Sequence, residues 1–144
     1  MAADAQRPNP VYAPLMSAFE KLAKARYVNL ETYRKNGSAV QTPVWVARDD
    51  GDLVVFTNGD SYKVKRLRHN PKLRIAECSV RGALKGPWHQ AIAHVVEDES
   101  RKQSAIQAIR DKYGWQMTLV DIGARLGGTK KNWAVLAIRL TGDE

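Results

Sequence analysis

Short runs of β-forming residues, separated by strong turn signals, constrain the fold of this 144-residue chain most. Residues Tyr27 to Tyr33 alternate in polarity and meet Asn36-Gly37, a dipeptide typical of hairpin turns, before a second β-type run covers Val40 to Ala47. This pattern predicts two paired strands. Four further runs have the same character: Leu53 to Thr57, Leu73 to Ser79, Trp88 to Val96 and Trp133 to Leu140.

Three segments have helical periodicity instead. They are Val11 to Ala25, Ser61 to His69 with Ser61 or Asp60 as its cap, and Glu99 to Tyr113 with Gly114 as its stop. Residues 115–126 are expected to add a helical turn or a lid. Together these elements predict a mainly β fold with inserted helices, a small barrel built as one domain over residues 1–144 with a flexible segment at 1–10.

A barrel of this size fills its interior with side chains, so a ligand has to bind outside it or between two subunits. We therefore expect a homodimer. The longest apolar runs are far shorter than the roughly 20 residues of a membrane-spanning helix, which argues against a membrane protein. The first fourteen residues have no secretory pattern, and the single cysteine, Cys78, closes no internal disulfide. Both features favour the cytoplasm.

Lys and Arg outnumber Asp and Glu by 23 to 15, giving a formal charge of +8 and predicting an anionic partner. The densest basic segment follows a glycine turn: Lys63, Lys65, Arg66, Arg68, Lys72 and Arg74 precede the next acid, Glu77. A helix start with a hydroxyl cap and a lysine in its first turn suits a phosphate group. The alternative interpretation is an ordinary helix face in contact with solvent, which would carry the same charges.

A second candidate feature is Thr42-Pro43-Val44. Proline donates no hydrogen bond to a neighbouring strand, so Pro43 is expected at a sheet edge or a bulge, where exposed backbone can face a planar ligand. A plain edge strand, protected from aggregation by its proline, is the alternative. Among the four tryptophans, Trp88 is the best candidate for stacking on a flat ring, because it follows a glycine-rich loop. Trp133 begins an apolar run and is expected in the core.

Other chemistries have little support in the sequence. His69, His89 and His94 are scattered, and no metal site is expected. Cys78 lies in a predicted strand, where a cysteine is most often a small buried hydrophobe. The chain contains neither a nucleophile elbow nor a P-loop.

Taken in order, these motifs resemble one family: the FMN-binding split β-barrel proteins related to pyridoxamine-phosphate oxidase, and within them the actinobacterial oxidoreductases that depend on a deazaflavin, coenzyme F420. The resemblance runs from about Ala18 to Leu140. The order of motifs ends with Cys78, Arg81-Gly82 and Gly86-Pro87, and the matching positions are Gly37, Thr42-Pro43-Val44, Ser61 and Lys63, Leu67 and Asn70-Pro71.

The resemblance implies a homodimer of split barrels with two cofactor sites at the interface. Ser61 and Lys63 would hold the cofactor phosphate, helped by Thr57 and Lys65, and the backbone at Thr42, Pro43 and Val44 would meet the ring. Coenzyme F420 carries an oligoglutamate tail, so surplus basic charge favours it over the alternative, FMN. The implied reaction is hydride transfer to an unsaturated or conjugated organic acceptor.

Three questions stay open at this point. No catalytic residue is assigned, although His89, Tyr33 or a water molecule can be considered as a proton donor. A non-catalytic protein that carries or senses the cofactor, a flavin or a tetrapyrrole would share the same binding residues. A nucleic-acid-binding barrel would also be basic, but it would interleave aromatic residues with the cations, and the basic segment here contains only Tyr62.

Overall fold

The computed structural model describes residues 12–120 and 133–141. The expected flexible segment at 1–10 and the second half of the expected lid at 115–126 lie outside the described residues, while 115–120 are helical. None of the helices described is long and apolar enough to cross a membrane. The elements are the helices α1 (Tyr12–Lys24), α2 (Tyr62–His69) and α3 (Glu99–Tyr113) and the strands β1 (Tyr27–Tyr33), β2 (Ala39–Val44), β3 (Ala47–Asp49), β4 (Asp52–Asn58), β5 (Lys72–Cys78), β6 (His89–Val95) and β7 (Trp133–Leu140).

The strands form one antiparallel sheet in the order β2-β1-β5-β6-β7-β4-β3. The sheet is curled, and the prediction of a mainly β fold with inserted helices is confirmed. Apolar side chains of the central strands, Leu30, Leu53, Ile75, Leu136 and Ile138 among them, are fully buried in one core cluster that also receives Leu22 of α1. A second cluster, under α3, contains Ile109, Met117 and Trp133, so the prediction that Trp133 belongs to the core is confirmed.

Pro43 lies in β2, the first strand of the sheet order, as its missing N–H predicts. The turn between β1 and β2 contains Gly37 with a φ of 89°, a left-handed conformation that glycine adopts without strain. The local turn chemistry therefore fixes the hairpin that carries the Thr42-Pro43-Val44 segment.

The prediction of one continuous strand from Val40 to Ala47 is wrong. β2 ends at Val44, and β3 begins at Ala47 and pairs with β4 at the opposite end of the strand order. Between them, Val46 is fully buried and its backbone is bound by side chains of α3: its N–H donates to the Tyr113 hydroxyl at 3.0 Å, and its carbonyl accepts from Lys112 Nζ at 2.7 Å. These side chains replace the ladder bonds that a continuous strand would have made.

Lys112 also fastens α1 to the rest of the fold. Its ammonium donates to the carbonyls of Ala23 at 2.8 Å and Ala25 at 2.5 Å, which lie at the carboxyl end of α1. A cation is favourable there, because the last carbonyls of a helix have no partner within it. Burial, and then the charge of Arg26, lower the pKa of Lys112 to about 8.

Candidate functional site

The basic segment folds as predicted into the capped helix α2. Ser61 has extended backbone angles, and its hydroxyl accepts a hydrogen bond from the Val64 N–H at 3.3 Å. Val64 and Leu67 are buried against the sheet, which turns the polar face of α2 outward. The structure therefore gives Ser61 a capping role, and its contact with a phosphate stays a prediction.

Replacing Ser61 by alanine is expected to destabilise the fold by about 1 kcal/mol, because the Val64 N–H loses its only capping acceptor. Urea denaturation of the two proteins measures the difference. Ser38 in the β1–β2 turn offers a comparison, since its hydroxyl contacts only exposed groups. Ser61→Ala should cost clearly more than Ser38→Ala, and equal stabilities would contradict the capping role.

Lys63 and Thr57 form the centre of the candidate site. Lys63 Nζ donates to Thr57 Oγ1 at 3.2 Å, joining the first turn of α2 to the end of β4. Lys63 is partly buried, and its pKa is lowered first by burial and then by the charge of Arg66. An anion placed beside this ammonium would favour its charged form and so oppose the lowering of its pKa.

Arg66 adds a second cation that sequence reasoning did not assign to the site. Its Nε donates to Thr32 Oγ1 at 2.7 Å, and burial and the charge of Arg34 lower its pKa. Thr32 is 1 % exposed, and the sequence analysis did not assign it to the site. The available signal was a polar residue at a position of β1 that faces the core. Among the described residues, no carboxylate forms a salt bridge with Lys63, Lys65 or Arg66.

The remaining predicted residues lie at different distances from this centre. Lys65 is exposed, with its ammonium 5.3 Å from the centre of the Tyr62 ring. Thr42 pairs with Leu30, two residues along β1 from Thr32, so its backbone lies about 8 Å from that of Thr32 by strand geometry. Within the part of the chain that the structure describes, no side-chain hydrogen bond joins Thr42, Pro43 or Val44 to α2, so only an extended ligand would bridge the two parts.

Beside Pro43, the side chain of Asn29 has an unused acceptor. Asn29 is 2 % exposed, and its Nδ2 donates to the Gly82 carbonyl at 3.1 Å, whereas its Oδ1 has no partner among the described residues. Asn29 pairs with Pro43 across the β1–β2 ladder. A buried acceptor without a donor is costly, so a ligand N–H at this point would be stabilising.

Trp88 packs against Arg74, which is paired with a buried carboxylate. The Arg74 guanidinium is 4.7 Å from the centre of the Trp88 ring, and Arg74 Nε donates to Glu31 Oε1 at 2.7 Å. Glu31 also accepts from Gln41 at 2.9 Å and Tyr33 at 3.0 Å. The Arg74 hydrogen bond is the largest effect on Glu31, and the net pKa of this carboxyl is lowered. One face of Trp88 is therefore occupied by Arg74.

Among the described residues, the histidines and Cys78 have no metal-binding arrangement. Within residues 12–120 and 133–141, no three His, Cys, Asp or Glu side chains come together as metal ligands. Cys78 is buried, as predicted for a small hydrophobe, and burial raises the pKa of its thiol.

Comparison with known proteins identifies the family of this chain. Residues 16–141 match the family model described as pyridoxamine 5'-phosphate oxidase. No curated protein matches the chain. Among solved structures, the heme storage protein HutZ from Vibrio cholerae superposes with a TM-score of 0.62 at 16 % identity, covering 90 % of this chain and 91 % of that one.

Two further structures have the same fold. A conserved hypothetical protein from Mycobacterium tuberculosis gives a TM-score of 0.64 at 18 % identity, covering 86 % of this chain and 79 % of its own. A protein described as an F420 reductase gives a TM-score of 0.56 at 15 % identity, and the match covers 85 % of this chain and 92 % of the reductase. At these identities the likeness establishes the split-barrel fold, and the relatives range from a heme storage protein to a reductase.

Proposed function

The chain belongs to the pyridoxamine 5'-phosphate oxidase family, and from that premise we propose that it is a homodimeric oxidoreductase that uses the deazaflavin coenzyme F420. It would bind the cofactor in a basic groove at the dimer interface and transfer hydride to an unsaturated organic acceptor in the cytoplasm. The observation that carries this proposal is the Lys63–Thr57 pair at the start of α2, with Arg66 close by and no carboxylate partner among the described residues.

The donor set fits a phosphate. Lys63 would hold it with a charge-assisted hydrogen bond, Thr57 would orient the ammonium and donate its own hydroxyl proton, and the Ser61 hydroxyl, already an acceptor from Val64 N–H, is free to donate. Arg66 and the exposed Lys65 would add positive charge around the group. Charge-assisted bonds of this kind are the strong ones, and here they would form with a partly desolvated lysine.

The ring would lie against β2. Pro43 is exposed on one face of this edge strand, whereas Thr42 and Val44 are half-buried on the other, so a ring would meet Pro43 and the backbone polar groups of the strand. The unpaired Oδ1 of Asn29, across from Pro43, would accept a hydrogen bond from a ring N–H. A second subunit would cover the other side of the ring, which is why the proposal includes a homodimer.

Charge favours the deazaflavin over FMN. Both compounds bring a ring and a phosphate, but only the deazaflavin extends into an oligoglutamate tail. Of the cations along 63–74, Arg68 is paired with Glu97 and Arg74 with Glu31, whereas Lys63, Lys65, Arg66 and Lys72 have no carboxylate partner among the described residues. When bound, the deazaflavin supplies a two-electron hydride, and the chain has to orient it and keep water from the reacting atoms.

A fluorescence titration of the purified protein with coenzyme F420 and, in parallel, with FMN at two salt concentrations tests the proposal. We expect the deazaflavin to bind more tightly, with an affinity that falls as salt rises, because several exposed cations would contact its tail. Preference for FMN would move the protein to the flavin-dependent alternative of the same fold. Binding of heme alone would favour the non-catalytic carrier.

A further inference from the structure

The positive charge of the proposed phosphate site continues beyond Lys63. Lys63 and Arg66 are three positions apart on α2, so their side chains are neighbours on the surface of the helix. Arg66 Nε donates to Thr32 Oγ1 at 2.7 Å, and Thr32 is the last residue but one of β1. The cations of α2 therefore reach the end of β1, where the turn to β2 begins.

Arg34, just after β1, adds a third cation at this place. Its N–H donates to the Ser38 carbonyl at 2.9 Å, so the β1–β2 hairpin extends past the end of the strand. The two-residue period of an extended chain then puts Arg34 on the same face as Thr32, about 7 Å along the backbone. Arg34 Nη1 also donates to Ser38 Oγ at 3.0 Å, which orients the guanidinium.

The three cations act on one another. Burial and then the charge of Arg34 lower the pKa of Arg66, and burial and then the charge of Arg66 lower the pKa of Lys63. Among the described residues, no carboxylate forms a salt bridge with any of the three. A phosphate bound at Lys63 would lie at one end of this line of cations and leave Arg34, at the other end, without a counter-charge.

The middle cation of the line is fixed in place. Arg66 is partly buried, and its Nε is bound to Thr32, which is 1 % exposed, so Arg66 cannot turn away from Arg34 without breaking that hydrogen bond. One N–H of Arg66 is used by Thr32 and one of Arg34 by Ser38. Since a guanidinium has five N–H groups, both side chains keep donors for a ligand.

We propose that Arg34 and Arg66 form a second anion subsite beside the phosphate subsite at Lys63, and that it binds a carboxylate joined to the phosphate by a short linker. A planar guanidinium suits a carboxylate, because it can donate two parallel hydrogen bonds to it. This inference rests on the proposed function and deepens it: the oligoglutamate tail of coenzyme F420 begins beyond its phosphate, and the subsite directs that tail toward the β1–β2 turn. Arg34 becomes the residue that separates the deazaflavin from FMN, in which the phosphate ends the molecule.

Two small phosphates test the subsite without a cofactor. 3-Phosphoglycerate carries a phosphate and a carboxylate, and glycerol 3-phosphate has the same carbon chain with a hydroxymethyl group in place of the carboxylate. Isothermal titration calorimetry at low salt measures both dissociation constants. We expect the wild-type protein to bind 3-phosphoglycerate about tenfold more tightly, because its carboxylate adds charge-assisted hydrogen bonds.

Arg34→Gln should abolish this tenfold difference and leave the affinity for glycerol 3-phosphate within about twofold. Lys35→Gln is the matched control, because it removes the same charge from the next exposed position of the turn. It should keep the full difference between the two compounds. No binding of 3-phosphoglycerate, equal affinities for both compounds in the wild-type protein, or the same loss in Arg34→Gln and Lys35→Gln would overturn the subsite.

Cofactor titrations separate this inference from the proposed function. Arg34→Gln should weaken the binding of coenzyme F420 by about tenfold and that of FMN by less than about twofold. Wild-type protein that binds neither cofactor contradicts the proposed function, and the comparison of the two small phosphates still tests the subsite. An unchanged affinity for coenzyme F420 in Arg34→Gln, when the wild-type protein binds it, overturns only the subsite.

Discussion

Replacing Lys63 by alanine is expected to weaken cofactor binding by about 1.5–3 kcal/mol, which corresponds to a dissociation constant about 10- to 150-fold higher. The physical reason is the environment of this ammonium: it is partly buried, it donates to Thr57 Oγ1 at 3.2 Å, and it has no carboxylate partner among the described residues. Fluorescence titration with the cofactor at low salt measures the change.

The stability of the same variant serves as its internal control. Burial and the charge of Arg66 already disfavour the charged form of Lys63, so its removal should leave the free energy of unfolding nearly unchanged. Lys24→Ala, at an exposed position of α1, should bind the cofactor as the wild-type protein does. An unchanged dissociation constant in Lys63→Ala, with the fold intact, would remove Lys63 from the site.

Replacing Arg74 by methionine is expected to cost about 2–3 kcal/mol of stability, because it leaves the Glu31 carboxylate buried with less compensation. The Glu31 side chain is 5 % exposed and the Arg74 side chain 34 %, so the cost falls below that of a fully buried pair. Gln41 and Tyr33 continue to donate to Glu31 in the variant. Urea denaturation at pH 7 measures the loss.

The pH dependence of this loss has a defined sign. The folded-state pKa of Glu31 is lowered, chiefly by the hydrogen bond from Arg74, so its contribution to stability is present above the unfolded-state pKa, near 4.5, and is lost as pH falls through the folded-state pKa. The difference between wild type and Arg74→Met should therefore shrink in acid. Arg68→Met, which removes an exposed pair with Glu97, should cost less than about 1 kcal/mol. Equal costs for the two variants would contradict the account of Glu31.

The features that the sequence predicted well are those set by neighbouring residues. The Asn36-Gly37 turn, the Ser61 cap and the Gly114 stop of α3 each depend on a few adjacent positions, and the strands β5, β6 and β7 begin and end within one residue of their predicted bounds. The phosphate-binding hypothesis used the same kind of signal: hydroxyls and lysines at one helix start.

The features that were missed depend on residues far apart in the chain. The break between β2 and β3 is imposed on Val46 by Lys112 and Tyr113, more than sixty positions away. Arg66 reaches Thr32 across 34 positions, and Arg74 reaches Glu31 across 43. Polarity patterns along the chain do not specify such partners, because they describe one strand or helix at a time.

The structure of the complex with coenzyme F420 tests the central claim most directly. The account predicts a phosphate oxygen within about 3 Å of Lys63 Nζ and the ring of the cofactor against Pro43, close enough to Asn29 for its Oδ1 to accept a hydrogen bond. A phosphate bound elsewhere, with Lys63 and Thr57 still in contact only with each other, would contradict it.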